Sequence, residues 1–169
     1  YDDGTKLLFN SDRGGTHNLY SVDLETGLIT QLTDLPEPQF ETKQLGVAAA
    51  VGRETNEVYF WYGPYLLELS LDTLRLQTLY EAPEGFDSLT SHASVTTDGE
   101  YILTSVTESV PETTTAGIWN AEPTTRIVRI PTDGSGSVDV VHEEDTWLSH
   151  SNASPTRPDL MTFAQEGPW

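Results

Sequence analysis

The sequence repeats a set of short β-strand patterns with turn residues at equivalent places, and this repetition constrains the fold more than any other feature. Asp3-Gly4 precedes the apolar run Leu7-Leu8-Phe9, and Asp98-Gly99 precedes the apolar run Tyr101-Ile102-Leu103. Four strands in about 40–50 residues are typical of a β-propeller blade. A simple β-sandwich would also contain many short strands, but it would not repeat its turn residues in register. The repeats are offset by 51 residues from Leu8 to Tyr59, by 43 from Tyr59 to Ile102 and by 59 from Ile102 to Met161.

Helical periodicity is hard to find, whereas short runs rich in Val, Ile, Leu, Tyr and Thr recur between turns. The expected fold class is therefore all-β: a β-propeller of about three four-stranded antiparallel blades plus the start of a fourth, which is an incomplete ring. The stretch 109–125, rich in Pro, Thr and Glu, is predicted to be a loop insertion between the second and third strands of one blade. Within a partial propeller domain, 1–169, the predicted parts are a blade lacking its first strand (1–35), a blade (45–82), a blade with the insertion (90–143) and the start of the next blade (147–169).

Three blades and part of a fourth do not close a ring, because propellers normally contain about 4–8 blades. The chain is therefore expected to be a fragment, a truncated gene product or part of an assembly that completes the ring. Tyr1 leads through a turn into a strand, with no initiator Met and no signal-peptide pattern. The natural N-terminus is expected to be missing, and the working expectation for location is the cytoplasm.

The charge balance is strongly acidic, with 27 Asp and Glu against 8 Lys and Arg and a formal net charge of −19. The acidic residues are spread along the chain rather than gathered into a tail, which argues against a disordered acidic arm. Their mutual repulsion reaches about 10 Å at 0.1 M salt but only about 3 Å at 1 M salt. A halophilic protein that works in molar salt is the preferred interpretation, and an ordinary acidic surface is the alternative.

Composition also excludes several classes of function. The chain has no cysteine, so disulfides and thiolate metal sites are excluded. No basic patch could neutralise phosphates, so nucleic acid is not an expected partner, and no apolar run is long enough to cross a membrane. The sequence contains no phosphate loop, no nucleophile elbow and no zinc-protease helix motif. The four tryptophans are expected to pack between blades rather than stack on sugars.

His92 and His150 are the candidate site residues that the repeat itself indicates. Each follows a serine at the start of a predicted first strand, and first strands line the central channel of a propeller. Imidazole suits metal ligation and proton transfer near neutral pH, so both side chains could reach a shared site. The alternative is that each bonds a neighbouring loop as a structural residue of its repeat. His17 and His142 are expected to be solvated.

Two stretches resemble known families. Residues 8–15 and 18–27 resemble the repeat shared by TolB-type propellers and several enzyme propellers, which indicates architecture more than function. The end of the chain is more specific and resembles the oligogalacturonate lyases, with Ile127 to Ile130 and Val138 to His142 fitting the same region. The residues that carry this resemblance are Trp147-Leu148-Ser149-His150, Ser154 to Leu160, Phe163 and Glu166-Gly167-Pro168-Trp169.

This resemblance implies a seven-bladed propeller that cleaves short pectin-derived oligouronides by β-elimination, aided by a divalent metal that is usually manganese. In that family the catalytic arginine, the base and the metal-binding histidine cluster come from later blades, beyond Trp169. The chain is therefore expected to be inactive alone and to bind no metal itself. The implied partner is a small acidic oligosaccharide such as digalacturonate, whose negative charge requires a local cation because the acidic protein repels it.

Four residues are predicted to bind substrate: His150, Gln165, Glu166 and His92. His150 matches the family's Trp-Leu-x-His pattern. Gln165 departs from the family, which commonly has His-Glu-Gly-Pro where this chain has Gln165-Glu166-Gly167-Pro168. Loss of that imidazole predicts either an altered substrate preference or a non-catalytic relative. No catalytic residue and no metal ligand is predicted within the chain.

Two other interpretations remain open from the sequence. One is a TolB-type propeller that binds a protein or ligand without catalysis. The other is the propeller that gates a serine oligopeptidase, which predicts a hydrolase domain elsewhere in the full protein. The lyase interpretation instead predicts an arginine soon after Trp169 and clustered histidines in the last blades.

Overall fold

The computed structural model describes residues 4–36, 49–52, 55–88, 92–112 and 114–167. Some predicted features therefore lie outside the described residues: the start of the strand predicted from Val47, the serine before His92, and Pro168 and Trp169 at the end of the lyase-like motif. Within the described residues the chain forms antiparallel sheets and one short helix. The predicted all-β class and propeller blades are confirmed.

The first two sheets are simple antiparallel meanders. The first contains three strands, β1 (Lys6–Ser11), β2 (Asn18–Asp23) and β3 (Ile29–Gln31). The second contains four, β4 (Ala49–Val51), β5 (Glu57–Tyr62), β6 (Tyr65–Ser70) and β7 (Leu76–Glu81). Their strand order follows the chain, as in a propeller blade, in which β4 takes the innermost place and β7 the outermost.

The third and fourth sheets continue the pattern. The third contains β8 (Phe86–Asp87), β9 (Ser94–Val95), β10 (Tyr101–Glu108), β11 (Thr124–Pro131) and β12 (Asp139–Asp145). The fourth contains β13 (Leu148–Ala153) and β14 (Met161–Gln165). The innermost strands contact one another in chain order, β4 with β9 and β9 with β13, as neighbouring blades around a channel do.

Strand β5 shows why the sheets stack face to face. Four consecutive side chains of β5 are fully buried, which requires that both faces of the second sheet be covered. Because successive residues of a strand point to opposite faces, Val58 and Phe60 face the first sheet while Tyr59 and Trp61 face the third. The first junction core comprises Leu19, Leu35, Val58, Phe60, Leu67 and Leu69. The second junction core comprises Tyr59, Trp61, Leu66, Ala82, Ala93, Ile102, Val106, Val128 and Ile130.

The innermost strand of the third sheet is in two pieces, whereas the sequence predicted one strand over 92–96. Asp87 of β8 pairs with Thr107 near one end of β10, and Val95 of β9 pairs with Ile102 near the other. His92 lies between the two pieces and outside the strand pairing. Phe86 starts the strand early because its ring packs against the second junction core and beneath the Arg126 guanidinium, 4.2 Å from the ring centre.

The predicted loop insertion at 109–125 contains a helix that the sequence did not indicate. Helix α1 (Thr115–Ala121) begins after Thr114, whose hydroxyl accepts a hydrogen bond from the Gly117 amide. β10 ends directly before the predicted loop, at Glu108, and β11 begins within it, at Thr124. Seven residues are too few to form a stable helix alone. The helix is held by tertiary packing instead, because Ile118 is buried against Trp147.

Candidate functional site

The innermost strands bring His92 and His150 together, as the repeated Ser-His pattern predicted. Their imidazole rings are stacked, with centroids 5.1 Å apart and ring planes inclined by 15°. His92 precedes β9, and His150 lies in β13, the neighbouring innermost strand. The two repeats therefore contribute one side chain each to a shared site, as expected of residues on adjacent first strands.

The backbone at His150 is irregular and projects the side chain out of the normal strand pattern. His150 has φ 52°, in the left-handed region that side-chain-bearing residues rarely adopt. The pairing of β13 with β14 shifts here, since Ser149 pairs with Ala164 but Asn152 pairs with Thr162. This is a β-bulge, a feature that redirects side chains next to functional sites. The Asn152 side-chain amide donates to the His150 carbonyl at 2.7 Å and secures the bulge.

Glu166 completes the cluster from the end of β14. Its Oε1 lies 3.9 Å from His150 Nε2 and accepts a hydrogen bond from the Ser149 hydroxyl. The Glu166 amide donates to the Trp147 carbonyl at 2.8 Å, so both main chain and side chain are fixed to the start of β13. We define the channel cluster as His92, Ser149, His150 and Glu166. No role was predicted for the Ser149 hydroxyl, although the Ser-His pair in the lyase-like motif was a signal for it.

Burial disfavours a positive charge on His92. The ring is half-buried, and its Nδ1 is buried with no hydrogen-bond partner among the described residues. Burial lowers the pKa of His92 below its ordinary value, and the adjacent His150 lowers it further by electrostatic repulsion. His150 is more exposed, with 59% of its side chain accessible. The pair therefore combines one desolvated and one solvated imidazole.

Gln165 is less involved in the cluster than the sequence predicted. It lies opposite Leu148 at the end of β14, and its side chain is exposed and makes no hydrogen bond with the described residues. It remains a predicted substrate-binding residue at the edge of the channel cluster. His142, predicted to be solvated at a strand end, lies within β12 and stacks on Phe163 at 5.1 Å.

Four of the arginines in the described residues are engaged outside the channel cluster. Arg126 pairs with Glu143 at 2.5 Å, Arg129 with Asp139 at 2.6 Å and Arg157 with Asp159 at 2.9 Å. Arg13 lies over the rings of Phe9 and Tyr20 instead. Within the part of the chain that the structure describes, Glu166 forms no ion pair with an arginine or a lysine. The histidines are therefore the cationic groups that this cluster can offer.

The described residues do not fit a divalent metal site. None of their His, Asp and Glu side chains form a group of three or more that could hold a metal ion. The channel cluster has two imidazoles and one carboxylate, but its rings stack face to face rather than converge on a point. The cluster is therefore suited to hydrogen bonding and proton exchange rather than to metal ligation. No helix in the described ranges is long and apolar enough to span a membrane.

A separate cavity of about 400 Å³ lies at the other ends of the innermost strands. It is bounded by Val51, Thr96, Asp98, Ala153 and Pro155, among others, and by none of the four predicted substrate-binding residues. The Thr97 hydroxyl donates to the Pro155 carbonyl at 3.0 Å and joins the turns of two blades there. We therefore assign this cavity to the packing of blade ends and not to the candidate site.

Sequence comparison relates the chain to oligogalacturonate lyases. It is 23% identical over 178 residues to the oligogalacturonate lyase of Dickeya dadantii and 22% identical over 180 residues to the oligogalacturonide lyase of Pectobacterium atrosepticum. Each match covers 99% of this chain and 43% of the relative, so the chain spans less than half the length of the curated relatives it matches. No family model matches the chain.

Solved structures agree on the fold. The chain is similar to the oligogalacturonate lyase of Vibrio parahaemolyticus (TM-score 0.83) and to an oligogalacturonate lyase in complex with manganese (TM-score 0.84), each at 24% identity, covering 98% of this chain and 44% of the other. The chain is also similar to TolB from Acinetobacter baumannii, at a TM-score of 0.58 and 18% identity, and the match covers 95% of this chain and 37% of TolB. The structural matches establish the fold, and the sequence matches confirm the relationship to oligogalacturonate lyases that the motifs indicated.

Proposed function

We propose that this chain is part of an oligogalacturonate lyase-like enzyme that cleaves short, pectin-derived oligouronides by metal-assisted β-elimination. The observation that carries the proposal is the agreement between the lyase-like motif and the geometry at His150. The motif residues Ser149, His150 and Glu166 lie in one cluster on adjacent strands, in which the Ser149 hydroxyl donates to Glu166 and the Glu166 carboxylate lies 3.9 Å from His150 Nε2. A stretch that served only to pack blades would not require a strained histidine at that position.

In this proposal the chain contributes substrate binding rather than the chemical step. His150 and His92 donate hydrogen bonds to a uronate carboxylate or hydroxyl, Glu166 accepts from sugar hydroxyls, and Gln165 contacts the substrate from the end of β14. β-Elimination needs a base for the proton beside the carboxylate and a cation that stabilises the charge formed on it. The described residues do not fit a metal, so the divalent ion and the base are assigned to parts of the protein outside them.

Activity on digalacturonate with manganese is the direct test, carried out on the whole protein that carries this chain. The unsaturated product of elimination absorbs in the ultraviolet, so it can be followed continuously. We expect His150→Ala to lower kcat/KM by about 10–100-fold, the effect of losing a hydrogen bond to a charged group. The matched control is His142→Ala, which removes another stacked histidine outside the cluster. Equal activity of the two variants would show that His150 does not bind the substrate.

The second candidate function is a non-catalytic binding propeller of the TolB type, which the similarity to TolB favours at the level of fold. It predicts no elimination product with any divalent metal, even in the whole protein. A sugar could still bind, and calorimetry with digalacturonate would detect it. Absence of both elimination product and digalacturonate binding would contradict the lyase proposal. The protein would then be a propeller that recognises a different partner.

A further inference from the structure

We propose that His92 and His150 bind an anionic sugar by taking up protons, so that oligouronide binding and histidine protonation are coupled. The inference rests on the proposed function and specifies how its site recognises a carboxylate. Two stacked imidazoles on neighbouring innermost strands act as the cationic element, and they become fully cationic only when the ligand is present.

The stacked geometry sets the charge of the empty site. With ring centroids 5.1 Å apart, two imidazolium ions would repel each other strongly in a partly desolvated channel. Glu166 Oε1, 3.9 Å from His150 Nε2, can balance one positive charge. The half-buried His92 has no such partner, and its buried Nδ1 is unpaired among the described residues. Protonation of both rings would place two positive charges face to face beside a single carboxylate, so the pair can accept a further negative charge.

A uronate carboxylate supplies the missing negative charge. Bound at the rim of the stack, within about 4–6 Å of both rings, it would favour the protonated form of the pair, because an opposite charge at that distance raises the pKa of an imidazole. The proton comes from solvent in the same step. The sugar would then meet N–H donors in a cluster that is more positive than it is before the carboxylate binds.

The surrounding charged groups leave this role to the histidines. Among the described residues of the elements packed around the pair, β4, β9 and β13 carry no ionisable side chain other than His150. On the neighbouring β8 and β10, Asp87 accepts a hydrogen bond from Ser109 and Glu108 accepts one from the Thr124 amide. On β11, Arg126 and Arg129 are paired with the carboxylates of β12, and β14 is followed by Glu166 itself. No described lysine or arginine is free within the cluster to replace the imidazoles.

The coupling predicts a specific pH dependence. Where binding takes up one proton, the affinity for a uronide falls by about tenfold per pH unit above the pKa of the free histidine, and it levels off below that pKa. The uronate carboxylate stays ionised from pH 5.5 to 8, so the ligand itself contributes no titration in that range. A neutral galactose disaccharide lacks the carboxylate and should show no such dependence.

Calorimetric titration of the whole protein with digalacturonate, in buffers of different ionisation enthalpy, measures the protons taken up directly. We expect uptake of about one proton per ligand between pH 6 and 7.5, and a substantial part of it should be lost in His92→Gln and in His150→Gln. His142→Gln should keep it, because that histidine lies outside the cluster. Two cluster variants are used so that the test remains possible if one of them does not fold. Thermal unfolding of each variant shows whether it is folded.

The outcomes separate this inference from the proposed function. Binding that is independent of pH and of buffer identity, or proton uptake that survives both cluster substitutions, would overturn the coupling while leaving the lyase proposal intact. No binding of digalacturonate at any pH, with a folded protein, would overturn both. Pronounced pH dependence with the neutral disaccharide as well would show that protonation acts on the fold and not on carboxylate recognition.

Discussion

At the scale of single residues, His150 combines a functional side chain with an unfavourable backbone conformation. Its φ of 52° costs a side-chain-bearing residue about 1–2 kcal/mol relative to glycine. The cost is offset by the Asn152 hydrogen bond, the bulge in β13 and the neighbouring Glu166. Strain that persists at a residue of the candidate site is expected where selection acts on the position of a side chain rather than on stability.

Substitution of His150 separates these two effects. We expect the free energy of unfolding of His150→Gly to exceed that of His150→Ala by about 1 kcal/mol, because glycine adopts positive φ without steric cost. Both variants should lose ligand binding equally. Chemical unfolding in molar salt measures the difference. A glycine variant clearly less stable than the alanine variant would mean that the left-handed conformation is not maintained.

Glu68 is a second residue whose environment opposes its charge. It is buried in β6, where Gln77 donates to Oε1 at 2.9 Å while Oε2 has no partner among the described residues. Burial raises the pKa of Glu68, and repulsion from Glu57 raises it further. The pKa of Glu68 is therefore higher in the folded protein than in the unfolded chain. At pH values below its pKa in the unfolded chain, the Glu68 side chain contributes its full stabilisation to the folded protein. That stabilisation is lost as the pH rises through the native pKa.

Glu68→Gln should remove this dependence. The difference in unfolding free energy between the variant and the parent protein should become more favourable to the variant from pH 4 to pH 7. The change should be about 1.4 kcal/mol for each unit by which the pKa of Glu68 in the folded protein exceeds its pKa in the unfolded chain. Unfolding free energies at the two pH values, at constant molar salt, give the measurement. Glu25→Gln, in an exposed turn, is the matched control, since it removes one carboxylate outside the blade sheets. A constant difference between Glu68→Gln and the parent would contradict the assignment.

At the scale of elements, the junctions between blades determine how the strands are held. The Trp61 indole of β5 donates a hydrogen bond to the Thr104 hydroxyl of β10 at 2.8 Å, and both side chains are fully buried. A hydrogen bond between two sheets in an apolar core fixes how far one sheet is shifted along the other, in addition to holding them in contact. A buried indole N–H left without an acceptor costs about 1–3 kcal/mol.

A double-mutant cycle measures this junction bond. Thr104→Val should destabilise the parent protein but cost much less in a Trp61→Phe background, where the donor is already absent. We expect a coupling energy of about 1–2 kcal/mol from unfolding of the four proteins. Additive effects of the two substitutions would show that the bond contributes nothing beyond packing.

The elements also show which features a sequence can reveal. Strand β5 (Glu57–Tyr62) is recognisable in the sequence because turns flank an unbroken apolar and aromatic run. Helix α1 was missed because its local composition is typical of a loop, and the packing of Ile118 on Trp147 comes from a distant part of the chain. The split into β8 and β9 was missed because two-residue strands carry no periodicity.

The candidate site was predictable in its members and less so in its geometry. The Ser-His repeat and the lyase-like motif indicated His92, His150 and Glu166. The stacking of the rings and the left-handed backbone depend on how two blades meet, which no local pattern encodes. For the same reason the sequence could not show that Gln165, named alongside them, is exposed and lacks a hydrogen bond with the described residues.

At the scale of the whole molecule, the net charge of −19 predicts that the stability of the fold depends on salt. Three of the described arginines form short ion pairs with cross-strand or adjacent carboxylates, and the chain keeps a large excess of acidic groups over basic ones. Salt screens the remaining repulsion, most strongly where charges are exposed. Adaptation to molar salt remains a prediction from the composition.

Thermal unfolding tests the salt prediction. We expect the melting temperature of the whole protein to rise by about 10 °C or more between 0.1 M and 3 M KCl, which corresponds to a few kcal/mol for a chain of this size. Sucrose at matched osmolality controls for general exclusion from the protein surface and should produce a smaller rise. Identical circular dichroism and melting at low and molar salt would contradict the halophile interpretation.

The divided innermost strand of the third blade also has a consequence for protein engineering. Ser88, His92 and Ala93 lie outside the strand pairing, while β8 and β9 keep their bonds to both ends of β10. Ser88 and Ala93 are buried, and Ala93 belongs to the second junction core, so His92 is the position of the three that can be exchanged without disturbing the core. A library randomised at His92 would therefore vary the recognition surface while the strand pairing that supports it stays unchanged.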